Sequence, residues 1–180
     1  MPSSQETVPS DITFEQAIAL TQSLLSRMAT TNLQPSEIEA AIAELVKTEN
    51  GARGFFVTYL TSELTLADNP SPEVVQALQS SPEIVAELLV KNLAMSAAMT
   101  LAHRRRQDEK MAQESERVRS RTAHLIQLVE LPSLGELSQR LWESAATGEG
   151  SYKAFLQRWG YDAEQRQVIC QAVAQVLPEK

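Results

Sequence analysis

The chain has 180 residues, 43% hydrophobic but only 5% aromatic, and a formal charge of −7 at pH 7. That is enough apolar side chain for a core of Leu, Val, Ile, Ala and Met, which argues against wholesale disorder, and the acidic balance argues against nonspecific nucleic-acid binding by the whole surface. The single cysteine, Cys170, excludes an intrachain disulfide and suits a reducing, cytoplasmic compartment.

Residues 1–12 read as a disordered, polar lead-in without the basic start and apolar centre of a secretory signal. The first helix begins at Thr13, where Thr13 and Gln16 have capping-box spacing. Phe14, Ala17, Ile18, Leu24, Leu25 and Met28 form its apolar stripe. A second helix is expected to start at a Ser36 cap with Glu39 three residues on, and to stop at Asn50-Gly51. A third covers about 52–67, with Gly54 placed for close approach of another backbone. Ser71-Pro72 then opens a short helix to Gln79, using proline at the first helical position, and Ser81-Pro82 repeats the device.

Residues 82–131 hold no glycine and no proline after Pro82, and they are rich in the best helix formers. They predict one long helix or two collinear ones, spanning roughly 70 Å if continuous. Its ends, 84–102 and 123–131, are apolar, and its middle, 103–121, is polar. A weak four-three spacing at Met111, Ser115, Val118, Thr122, Leu125 and Val129 follows heptad positions. Beyond Pro132, a helix from Ser133 ends at Gly148-Glu149-Gly150, another covers about 151–159 before Gly160, and Asp162 with Gln165 caps the last.

The expected fold is therefore all-α: a bundle of seven or eight helices organised on one central helix at 82–131. It reads either as a single domain over 13–180 or as two hairpin lobes, 13–80 and 133–178, joined by that helix. The lobes carry a weak internal repeat. Glu37, Ile38, Ile42, Glu44, Thr48, Gly51, Phe56 and Val57 align with Glu136, Leu137, Leu141, Glu143, Thr147, Gly150, Phe155 and Leu156. Any two amphipathic hairpins with a glycine joint resemble each other to some extent, and two copies are too few for a solenoid.

Chemistry-bearing motifs are sparse. His103 and His124 lie 21 residues apart, about 31 Å along a straight helix, too far to share a metal. The chain has no HExxH, CxxC, GxSxG, Walker or GxGxxG pattern, so no catalytic, cofactor-binding or metal-ligating residue is assigned. Two other groups stand out. Residues 103–121 carry seven Lys/Arg against four Asp/Glu, a local +3, while the rest of the chain carries nine against nineteen, or −10. Arg104, Arg105, Arg106, Lys110, Arg117, Arg119 and Arg121 are the candidate partner-binding residues. A solvated helix face with i,i+4 ion pairs is the plainer reading. The second group is Arg158, Trp159 and Tyr161, residue types that anchor interfaces, set against ordinary core packing at a helix end.

The function expected from these features is that of a non-enzymatic interaction or regulatory protein. It would self-associate as a homodimer through the long helix, or take an acidic protein partner. The alternatives are a nucleic-acid-binding regulator using 103–121, disfavoured by the absence of stacking aromatics there, and a helical enzyme or small-ligand carrier. No run of about 20 apolar residues marks a membrane span.

Overall fold

The computed structural model describes residues 7–178, and among these the protein is all-helical, with nine α-helices, one 3-10 turn and no strand. It divides into two compact units, Met1–Val85 and Ala86–Lys180.

The first unit holds α1 (Phe14–Thr30), α2 (Pro35–Leu45), α3 (Glu49–Thr61), a 3-10 turn (Thr65–Ala67) and α4 (Pro72–Gln79). The capping box opening α1 forms as its spacing predicts. The Gln16 amide donates to Thr13 Oγ1 at 3.1 Å, and the Thr13 amide donates to Gln16 Oε1 at 3.0 Å. Residues 1–6 of the expected lead-in lie outside the described residues. Ile12, at its other end, is only 2% exposed and closes a turn onto the Pro9 carbonyl.

Several boundaries differ from the sequence expectation: α3 stops at Thr61, with a separate 3-10 turn at Thr65–Ala67, where the sequence predicts one helix to 67. α2 starts earlier, with Gln34 at the cap position, Pro35 as first helical residue and Glu37 accepting from the Gln34 amide at 2.8 Å. Proline at that position has its φ preset and no N–H to lose, and this outweighs a serine cap. α2 also ends at Leu45, and Thr48 caps α3 by accepting from the Gly51 amide at 3.1 Å. Asn50-Gly51 therefore lies inside a helix start, not at a helix end. α1 crosses α3 closely, and α2 packs on α4. Phe55, Phe56 and Tyr59 fill the core; Tyr59 stacks on Phe55 with centroids 5.1 Å apart and donates its hydroxyl to the Leu66 carbonyl.

The unit boundary falls within the first turn of α5 (Pro82–Arg105). The second unit continues through α6 (Glu109–Val129), α7 (Leu134–Thr147), α8 (Lys153–Arg158) and α9 (Ala163–Ala174), with α7 packed on α9. The single rod expected over 82–131 is not formed. The Asp108 amide donates to the His103 carbonyl at 2.9 Å and the Gln107 amide to the Arg104 carbonyl at 3.0 Å, with Gln107 at φ 60°. That bond pair around a left-handed residue is a Schellman ending. Asp108 then caps α6, accepting from the Met111 amide. The chain doubles back here, because Ala97 of α5 and Arg119 of α6, on opposite sides of the turn, line the same small cavity of about 250 Å³.

α5 is the one helix among the described residues with the length and composition to cross a membrane. Leu89, Val90, Leu93 and Ala94 are buried within the protein, as the residues of a core helix are. The aligned motifs of the internal repeat adopt different backbones. Gly51 is helical, whereas Gly150 lies at φ 101° in the turn before α8.

Candidate interaction site at the α8–α9 corner

The basic segment is not one continuous stripe. The α5–α6 turn divides it, and its members meet different environments. Arg106 and Lys110 are exposed. Arg104 stands 3.7 Å from the Glu109 carboxylate. Arg119 bonds Glu116 on its own helix and donates to Gln175 Oε1 at 3.1 Å, and this guanidinium holds the Glu116 carboxyl below its usual range. Arg117 is half-buried, with its Nε enclosed. Arg121 is 4% exposed and belongs to the buried face of α6 with Thr122, Leu125, Ile126 and Val129.

Arg105 links the basic segment to the aromatic group. Its guanidinium donates to both oxygens of Asp162, at 2.7 and 3.2 Å, and to Glu164 at 2.5 Å. The two planar groups meet in the fork geometry that makes Arg–carboxylate pairs directional. Asp162 is also the cap of α9, accepting from the Gln165 amide at 2.9 Å while Gln165 reaches back to the Asp162 amide.

The corner before Asp162 is built by the same device as the α5–α6 turn. The Tyr161 amide donates to the Leu156 carbonyl and the Gly160 amide to the Gln157 carbonyl, with Gly160 at φ 65°. Local bonds thus fix the path from α8 to α9, and Arg105 pins its far end. Tyr161 is half-buried, edge-on to Phe155 at 6.5 Å, and burial pushes its phenol up to about 12. Trp159, by contrast, is 51% exposed, and Arg158 beside it is exposed as well. Sequence reading named both groups but not their meeting, because Arg105 and Asp162 lie 57 residues apart.

Asp162 provides a pH-dependent test of the clamp. The Arg105 guanidinium, then the Gln165 amide, hold its carboxyl below the usual range. A folded-state pKa below the unfolded value of about 4 stabilises above that value, and the gain is lost as pH falls through the folded value. Asp162→Asn keeps a competent cap but removes the ion pair. We expect its urea midpoint to lie below wild type at pH 7 and the two to converge as pH falls through the lowered folded-state value. The pair is solvent-exposed, so the gap is small and shrinks further in high salt.

A second group of polar residues beside α8 escaped the sequence reading. Tyr152 donates its hydroxyl to Glu87 at 2.9 Å, and Glu87 also pairs with Lys91 at 3.2 Å. The i,i+4 spacing of Glu87 and Lys91 was the available signal, hidden in a segment read as apolar. The first unit carries a different surface, an apolar groove of about 500 Å³ beside Ile18, Leu25, Val57 and Leu64. Thr30, Thr58 and Thr61 on its walls donate their hydroxyls to carbonyls of their own helices.

Residues 13–176 match the family described as "uncharacterised conserved protein UCP020893". No curated protein and no solved structure matches the chain.

Proposed function

The chain belongs to that family, and from this premise we propose that it is a non-enzymatic helical interaction protein of the cytoplasm, docking an acidic segment of a partner protein at the α8–α9 corner. The observation that carries the reading is a half-exposed Trp159 on a corner whose backbone is locked by local hydrogen bonds and by Arg105. Tryptophan and arginine dominate interface energetics when they sit on ordered backbone, because little freedom is left to lose on binding. Arg158, exposed beside Trp159, supports an acidic partner, since Arg105 already holds the corner's Asp162 and Glu164.

The test is fluorescence anisotropy of a labelled Glu/Asp-rich peptide carrying one apolar anchor, at 50 and 200 mM salt. We expect saturable, salt-weakened binding that falls at least tenfold in Trp159→Ala and in Arg158→Glu. Light scattering on the same samples identifies the occupant: a dimer dissociated by Trp159→Ala would assign the corner to a second copy. No saturable binding at low salt, together with a monomer indifferent to Trp159→Ala, would overturn the proposal.

A further inference from the structure

The second unit holds a cleft of about 440 Å³ bounded by α5, the approach to α8, and α7. We propose that it binds a small organic anion, with a carboxylate or phosphate headgroup on an apolar body. The inference rests on the cleft alone and not on the corner reading, although Arg158 borders both.

The charge balance comes first. Three cations line the cleft, Lys91, Arg140 and Arg158, against one carboxylate, Glu87. That carboxylate is already shared, accepting from Tyr152 Oη at 2.9 Å and pairing with Lys91 at 3.2 Å. Arg140 is bonded to Glu136 on its own helix, which occupies only part of its fork. A guanidinium has five N–H donors, so most of Arg140's remain for a ligand. Arg158 has no ion-pair partner among the described residues. With Lys91 paired to Glu87 and Arg140 to Glu136, the Arg158 charge is left over, and this net positive charge in a concave site of a protein with net charge −7 favours an entering anion.

Chemistry and size narrow the ligand. Two arginines on neighbouring elements can grip paired acidic oxygens, the geometry that guanidinium groups match best. Lys91 Nζ stands 5.8 Å from the Phe155 centroid, so a headgroup held by Lys91 lies over an aromatic face. Leu137 and Ala154 extend that apolar wall. The volume lies within the range of small-molecule sites, and the lining mixes the apolar Leu137, Ala154 and Phe155 with charged and hydroxyl groups. Tyr152 makes one wall rigid: it is buried, its hydroxyl is committed to Glu87, and burial followed by that hydrogen bond raises its phenol well above the usual range. It therefore stays neutral and adds no charge to oppose an anion.

The experiment is isothermal titration of the full chain with phenyl phosphate and with phenylacetate at 25 mM salt, alongside the aromatic NMR signals of Tyr152 and Phe155. We expect one saturable site for at least one probe, with those ring signals shifting on binding. The preference between the probes tells phosphate from carboxylate. Arg140→Gln and Arg158→Gln should each weaken binding at least tenfold. Both side chains are exposed, and circular dichroism checks that the variants remain folded. Trp159→Ala should leave anion binding unchanged, which separates this site from the protein-docking corner. Failure of both probes to saturate, or undiminished binding in the Arg140→Gln/Arg158→Gln double variant, overturns the proposal.

Discussion

Gly51→Ala and Gly54→Ala are each expected to destabilise the protein by about 3 kcal/mol, the upper part of the usual range for overpacking. A β-carbon at Gly54 would lie 2.4 Å from Ala17 Cβ, 2.9 Å from the Phe14 carbonyl oxygen and 3.0 Å from the Ile18 nitrogen. Two of those three atoms are backbone of α1, so no rotamer change relieves the clash and the α1–α3 crossing must open. At Gly51 the β-carbon would come within 1.9 Å of the Leu45 carbonyl oxygen, forcing apart the short link between α2 and α3. The sign is diagnostic, because alanine in an unobstructed helix is better than glycine by roughly 0.5–1 kcal/mol. Gly135, in the first turn of α7, has nothing within 4 Å of an added β-carbon. Gly135→Ala should accordingly be neutral or stabilising. Urea denaturation of the three variants decides the matter, and wild-type stability in Gly54→Ala would show that the helix pair is not held as tightly as described.

These glycines mark the limit of what sequence reading reaches. The closeness at Gly54 was legible, because a glycine inside a helical pattern needs a reason. The role of Gly51 was misread, since glycine after asparagine usually ends a helix, and here Thr48 begins one instead. Features set by neighbours in the chain were recovered: the Thr13–Gln16 and Asp162–Gln165 boxes and the stops at Gly148 and Gly160. The break at Gln107 was not, because the left-handed position is filled by a residue with no preference for it. Its trace was the order of charges. His103, Arg104 and Arg105 suit the negative end of one helix, and Asp108 and Glu109 suit the positive start of the next. The aromatic corner was visible as a residue cluster. Its clamp was not, since a pairing across 57 residues depends on how α5 and α9 pack.

The basic segment gives the second large effect. Arg121→Glu is expected to cost about 3–5 kcal/mol, the scale of disrupting a buried charge. At 4% exposure the introduced carboxylate must either be desolvated or take up a proton, and both are costly. The guanidinium's donors and the packing of its stem are lost as well. Arg106→Glu and Lys110→Glu, on exposed side chains of the same segment, should stay within about 0.5 kcal/mol of wild type. Denaturant titration of the three single variants measures the contrast, and a wild-type midpoint for Arg121→Glu would show that this arginine is not part of the core. The contrast governs how the interaction is to be probed. Replacing all seven basic residues of 103–121 together would abolish any binding by unfolding α6, whatever surface the partner uses. Reversing Arg158 or removing the Trp159 ring, both exposed at a corner that backbone bonds hold in place, changes the docking surface while leaving the core intact.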